Sequence, residues 1–268
     1  MRYFFHISYN GGNYSGWQRH PYGLGVQQVV EESLQKILKV PVPIVGCGRT
    51  DAGVHALQFF FHLDVAEPWA FDMLFRLNKV LPPDIAVFDI LPMDGTPHAR
   101  FDATLRSYDY FIHTSKDPFL SQVSSLYLVK HLHLDAMKAA TALLPLYSDY
   151  RALCLTPADQ HGTICHVTSA RWLIDGPGNR LRFQITANRY LSRMIRIIVG
   201  KLLRIGTGTL SVAEFEAYLA THKTPKHLTP AYPQGLYLSK VTYPFLDLPP
   251  HGSFSKVLQR SDVGWQEL

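Results

Sequence analysis

The sequence predicts an α+β chain built from two similar halves, and three observations carry that prediction. Short runs rich in aromatic and β-branched residues alternate with stretches whose apolar residues recur at helical spacing. The first half orders these runs as β, α, β, β, α, β, and a comparable order recurs after residue 106. Gly-Gly, Pro-Pro and Asp-Gly-Pro-Gly clusters fall between the runs, where turns belong.

Residues 2–9 are rich in aromatics and read as a strand that Gly11-Gly12 ends. Over 26–38, Val26, Val29, Val30, Leu34, Ile37 and Leu38 recur near helical spacing, with Gln and Glu on the other face. Strands over 41–45 and 56–65 flank a glycine-bounded loop. A helix over 71–80 stops before Pro82-Pro83, where the fixed ring geometry cannot continue it, and a strand follows over 85–91. In the second half, 106–114 reads as a strand and 134–144 as a helix. Strands over 169–174 and 181–186 pair across Asp175-Gly176-Pro177-Gly178, and a long helix over 191–204 and a short one over 214–220 follow. A final strand spans 236–241, and from Phe245 on the Pro-rich, polar sequence reads as an irregular tail. The predicted organisation is therefore an N-terminal α/β half over 1–104, a C-terminal α/β half over 105–245 and a tail over 246–268. The β, α, β, β, α, β order is that of a ferredoxin-like split unit. Two such halves suggest a duplication, without a residue-level repeat to accompany it.

At 268 residues, 47% hydrophobic and 18% charged, the chain is long enough to bury one large or two medium cores, which argues against disorder. A net charge of +5 and a pI near 9.0 favour an anionic partner, although such an excess also occurs in proteins that never meet nucleic acid. Cys47, Cys154 and Cys165 are odd in number and form no Cys-x-x-Cys pair, which points away from a disulfide framework or a zinc ribbon and towards a reducing cytoplasm. The first residues read as a strand and not as a signal sequence, and no apolar run approaches the ~20 residues of a membrane span.

The segment Gly46-Cys47-Gly48-Arg49-Thr50-Asp51-Ala52-Gly53-Val54-His55-Ala56 holds a carboxylate between glycines, with an arginine two residues before it. Glycines let the backbone turn sharply and approach a ligand, and Arg49 favours an ionised Asp51 suited to act as nucleophile or base. Taken alone, the same Arg-x-Asp pattern also describes a surface salt bridge that caps a turn. His55 invites a metal reading, but Gly48 and Gly53 argue for a loop and no third ligand lies near in sequence. His62, His98, His113 and His166 read as surface or hydrogen-bonding residues. Gly206-Thr207-Gly208 lacks the lysine and spacing of a phosphate loop.

The whole of that segment resembles the active-site loop of the TruA family of tRNA pseudouridine synthases, in which the aspartate of Gly-Arg-Thr-Asp-Ala-Gly-Val-His is catalytic. Further anchors follow in the family's order: the run from Tyr9 to Arg19 with Val26-Gln27, Pro97-His98-Ala99-Arg100-Phe101, Arg106-Ser107-Tyr108-Asp109-Tyr110, the run from Ala187 to Gly200, and Gly235-Leu236-Tyr237-Leu238. Arg189-Tyr190 stands where the family usually has a small or polar residue and then Phe, and Ile197 where it usually has Asn.

The resemblance implies two ferredoxin-like, RNA-recognition-like halves whose antiparallel sheets meet at a basic active-site cleft. It implies isomerisation of uridine to pseudouridine at positions 38, 39 and 40 of the tRNA anticodon arm, by a homodimer and with no cofactor or metal. Asp51 would be catalytic, and Tyr108, Arg49 and Arg196 would bind substrate. These assignments make chemical sense. Tyr108 lies in an alternating strand, where its ring suits stacking on uracil and equally suits a sheet core. Arg196 sits among Met194, Ile195, Ile197, Ile198 and Val199, so apolar a setting that its charge needs a partner, for which Asp51 is the natural candidate. For Arg193 and Arg204 a solvated helix face suffices. A single flagged acid favours an isomerase over a glycosidase, which needs a flanking pair. Two rival classes are a non-catalytic tandem RNA-binding protein, which would not need Asp51, and a metal-dependent phosphodiester hydrolase using Asp51, His55 and a distant acid. A turnover assay separates the first, and metal dependence would mark the second.

Overall fold

Strand β1 (Arg2–Tyr9) lies at the centre of the first of two units into which the chain folds, Met1–Arg106 with Tyr237–Phe254. The second is Ser107–Leu236 with Ser255–Leu268. The computed structural model describes residues 1–225, 227–251 and 264–268. Both units mix helices with mostly antiparallel strands, an α+β architecture.

In the first unit, β1 pairs antiparallel with β3 (His55–Asp64) on one side and with β4 (Ile85–Met93) on the other. The short β2 (Val45–Gly46) pairs antiparallel with β3, and β9 (Leu236–Thr242) runs parallel to β3 with His55 opposite Tyr237. Phe4, Phe5, Phe59, Phe60 and Phe61 are all fully buried, so both faces of the central strands are covered. Phe5 stacks on Phe61 with centroids 4.6 Å apart, while on the other face Phe4 meets the ring edges of Tyr243 and Phe245. Each such ring contributes about 1.5–3 kcal/mol when fully buried. Helix α1 (Val26–Leu38) buries Val26, Val30 and Leu34, spaced four apart on one stripe, and ends where Lys39 turns left-handed at φ 64. Helix α2 (Met73–Val80) begins two residues later than the predicted 71 because Asp72 is its N-cap, accepting from Phe75 N at 2.9 Å. The strand predicted over 41–45 shrinks to Val45–Gly46, since Pro41 and Pro43 have no N–H for a ladder.

In the second unit, β5 (Leu105–His113), β8 (Arg180–Ala187), β7 (Val167–Ile174) and β10 (Gln266–Glu267) are successive neighbours, and β6 (Ser125–Leu126) runs parallel to β5. The β7–β8 turn is closed by Asp175, whose Oδ1 accepts from Asn179 N and Arg180 N, with Gly178 at φ 76. Helix α3 (Leu134–Ala142) stops short of the predicted 144, and Pro145 follows in a 3₁₀ turn over Leu144–Leu146. Helix α4 (Met194–Gly206) starts after the predicted 191 because Arg193 adopts a left-handed φ of 56. Helix α5 (Val212–Thr221) is opened by a capping box between Ser211 and Glu214. Of the tail expected over 246–268, residues 252–263 lie outside the described residues, and at its end Gln266–Glu267 add to the edge of β7. Only a long-range pairing creates that strand, so no local pattern announces it.

Candidate active site

The loop between β2 and β3 is pinned at its start, middle and end. At its start, Cys47 N donates to Phe60 O at 2.7 Å, and the Arg106 guanidinium donates to Cys47 O from Nη2 at 2.7 Å and from Nε at 3.3 Å. The same guanidinium reaches Arg100 O at 2.8 Å and Ala103 O at 3.4 Å. The Cys47 thiol is fully buried, and burial pushes it up to about 11, so it is a packing group and not a nucleophile.

The middle of the loop rests on the segment that leads into α1. Trp17 N donates to Thr50 O at 3.2 Å, and the Thr50 hydroxyl bonds Tyr9 OH at 2.9 Å. Gly16, at φ 96, lies so close that a Cβ there would come 3.1 Å from the Asp51 carbonyl carbon and 3.3 Å from Ala52 N. Only glycine serves at this position. Helix α1 has no side-chain cap; instead Gly16 O and Trp17 O accept from Val26 N at 3.1 Å and Gln27 N at 2.8 Å. One dipeptide thus supports the Asp51 backbone and starts the helix. Trp17 is itself locked, stacked on Phe59 with centroids 4.0 Å apart.

At its end the loop closes in a tight turn. Val54 N donates to Asp51 O at 3.1 Å, Gly53 takes φ 74 at the third turn position, and Gly53 N donates to Tyr14 O at 3.1 Å. His55 is buried, stacks on Tyr237 with centroids 4.5 Å apart, and accepts from Gly11 N on Nδ1 at 3.0 Å. Its ring nitrogen is committed to holding the loop end. Among the described residues no group of three His, Cys, Asp or Glu side chains is placed to hold a metal ion. The result is a half-buried Asp51 at the head of a turn whose backbone is held from three directions, with Arg49 exposed two residues before it.

The other two predicted site residues lie in the second unit. Tyr108 is buried in β5 and meets Tyr190 edge to face, centroids 5.1 Å apart; Tyr190 OH donates to Ile185 O at 3.0 Å. The departure from the family pattern at 190 therefore packs directly on the Tyr108 ring. The strand is fixed on its other face by buried Asp109, which accepts from Arg182 Nε at 3.0 Å, Arg182 Nη2 at 3.1 Å and Gln184 Nε2 at 2.8 Å. Arg196, in the first turn of α4, is half-buried; its Nε donates to Ala231 O at 2.7 Å, and Ala231 N returns a bond to Arg196 O at 2.8 Å. Lys201, one turn further on, is buried and donates to His227 O at 2.9 Å, so residues 227–231 strap α4.

Asp51, Arg49, Tyr108 and Arg196 stand out in the sequence as site residues, whereas Gly16, Trp17 and Arg106 appear there only as parts of motifs. The available signal was an arginine at the second position of an aromatic-rich strand and a glycine directly before a tryptophan.

A family model described as tRNA pseudouridine synthase matches residues 147–244. The chain is 42% identical over 246 residues to tRNA pseudouridine synthase A of Parabacteroides distasonis, covering 91% of this chain and 96% of that protein. It is 39% identical over 246 residues to the protein of the same name from Porphyromonas gingivalis, covering 91% and 97%. A more distant relative of that name, from Chlorobaculum tepidum, is 35% identical over 239 residues, covering 88% and 96%. The fold and these matches define an RNA-modifying isomerase. The chain belongs to the tRNA pseudouridine synthase A family.

Proposed function

We propose that this enzyme isomerises uridine to pseudouridine at positions 38, 39 and 40 of the tRNA anticodon stem-loop, with Asp51 as nucleophile. The observation that carries the reading is the half-buried Asp51 on a turn whose peptide is held by Gly16, Trp17 and Tyr14. A carboxylate held in one orientation avoids the entropy loss of positioning it during reaction. In the proposed route an Asp51 oxygen bonds to C1′ as the C1′–N1 bond breaks, and the leaving uracil keeps the electron pair on N1. The base rotates, C5 attacks C1′ and expels the carboxylate, the C5 proton departs, and N1 gains a proton. No net electron is transferred.

Tyr108 supplies a ring for the displaced uracil and a hydroxyl within the same strand, and Arg49 and Arg196 supply positive charge for the RNA. The target base leaves its stack to reach the carboxylate. Each half is proposed to be a ferredoxin-like unit, residues 1–104 carrying the Asp51 loop and residues 105–245 carrying Tyr108 and Arg196. The first unit's order, β4, β1, β3 with β2 on β3, supports that reading. A two-fold homodimer acting in the cytoplasm completes the proposal; three buried free cysteines suit a reducing compartment, and among the described residues no helix is long and apolar enough to cross a membrane.

The test is release of tritium from [5-³H]uridine in an unmodified tRNA transcript, because forming the C5 bond expels that hydrogen. A parent protein that binds the transcript and releases no tritium above background contradicts the reading.

A further inference from the structure

Phe101 is 74% exposed, yet the loop that presents it is held by several hydrogen bonds. Ala99 is completely buried; its N–H donates to His62 Nδ1 at 3.1 Å and its carbonyl accepts from Tyr243 OH at 2.6 Å. His98 N donates to Asp102 Oδ2 at 2.7 Å, and His98 Nδ1 accepts from Arg100 N at 3.1 Å and Phe101 N at 3.2 Å. Arg2 adds a bond to Pro97 O at 2.9 Å. A loop determined by this many bonds does not expose a phenyl ring for want of an alternative.

The ring's surroundings have the chemistry of a base-stacking platform. The His98 ring lies against Phe101 with centroids 4.2 Å apart and planes 31° apart, and the Arg100 guanidinium carbon is 5.8 Å from the Phe101 centroid. An exposed aromatic ring with a second ring against it and a guanidinium 5.8 Å over it suits stacking by a nucleobase, because every base has a π-surface and the adjoining phosphate is anionic. The platform is also coupled to the Asp51 loop. A single nitrogen, Arg106 Nη2, donates both to Arg100 O at 2.8 Å and to Cys47 O at 2.7 Å, so the two loops hold a fixed relation. Tyr22 and Phe119 are more exposed still; Tyr22 lies in the segment whose Trp17 N donates to Thr50 O, but its ring contact with His20 is looser, centroids 6.5 Å apart against 4.2 Å for His98 and Phe101.

We propose that Phe101, backed by His98 and flanked by Arg100, stacks on an unpaired base of the substrate tRNA. This rests on the isomerase reading only for the identity of the RNA. The role is one of binding and register, and Phe101 takes no part in the bond changes.

The experiment uses the full chain, an unmodified tRNA transcript and the variants Phe101→Ala and Phe101→Trp. Affinity is measured by fluorescence anisotropy of end-labelled transcript, and the single-turnover rate by tritium release at saturating protein. Phe101→Ala is expected to weaken binding between about fivefold and a hundredfold while the saturated rate stays within about threefold of the parent. Phe101→Trp keeps a stacking face and is expected to bind within about twofold of the parent, its added indole emission quenched by tRNA. Alanine affinity within twofold of the parent overturns the proposal. So does weakened binding accompanied by loss of a dimer in sedimentation, which would assign the ring to a second copy of the chain. Should the alanine variant fail to fold, the tryptophan variant decides, and quenching no greater than the parent's overturns the proposal. If the parent binds tRNA with this dependence but releases no tritium, the isomerase reading falls and the platform stands.

Discussion

Gly16 lies directly against the peptide of Asp51: a Cβ on it would sit 3.1 Å from the Asp51 carbonyl carbon and closer still to the Thr50 carbonyl oxygen. The glycine is also held at φ 96, a conformation that side-chain-bearing residues rarely adopt. The position of the proposed nucleophile therefore depends on a residue that carries no chemistry of its own.

Gly16→Ala should move the Asp51 loop, since the obstructing atoms are backbone and cannot swing away. Turnover should fall at least tenfold, and stability by about 2 kcal/mol or more from the strained φ and the displaced loop. Chemical denaturation together with tritium release checks both, and a variant matching the parent in each would show that the loop is not held from this side.

Asp51→Asn keeps the side chain's shape and removes its charge and nearly all its nucleophilicity. Turnover should drop a thousandfold or more, about 4 kcal/mol of transition-state stabilisation, while tRNA affinity holds or rises slightly because a carboxylate repels phosphate. Release within tenfold of the parent would remove Asp51 from the nucleophile's role.

Arg106→Lys retains a positive charge but loses the planar fork that serves three carbonyls at once. We expect the saturated rate to fall about tenfold to a hundredfold and stability by about 1–3 kcal/mol, because a single ammonium lacks the fork that serves Cys47 O and Arg100 O together. Arg106→Met should be worse in both. A lysine variant with parental rate and reduced stability would make Arg106 a purely structural clamp.

Acid should destabilise the first unit through His62, which is 4% exposed and accepts from Ala99 N. Burial, with Arg2 and His98 adding to it, lowers this imidazole from 6.5 to about 4. Between those values the unfolded chain binds a proton that the folded chain does not, so the contribution is complete above about pH 6.5 and is lost as pH falls towards 4. Thermal unfolding from pH 7.5 down to 4.5 should show a falling Tm. His62→Gln should flatten that slope, and an unchanged slope would place the acid sensitivity elsewhere.

Much of this molecule was legible in its sequence because the signals are local. The aromatic run of β1 and the four-residue spacing of α1 specify strand and helix over Arg2–Tyr9 and Val26–Leu38, the bounds that pattern alone predicts. Where local chemistry competes, the bounds shift: Asp72 caps and shortens α2, Pro41 and Pro43 trim β2, and Arg193 delays α4. The Asp51 loop was recognisable from its glycines and charges, because a presented carboxylate needs that composition within a few residues.

Only the tertiary structure decided what holds the loop in place. Arg106 reaches Cys47 across 59 residues of chain, and Gly16 touches Asp51 through packing that no periodicity encodes. The parallel pairing of β9 with β3 and the addition of β10 to β7 are likewise contacts between distant segments. Tyr190 shows the same limit from the other side: in sequence it is a departure near a site, and in the fold it is the ring packed against Tyr108. Backbone propensity and side-chain alternation act over a few residues, whereas the exposure of Phe101 and the support of Asp51 arise from hydrogen bonds and close approaches that exist only once distant strands have paired.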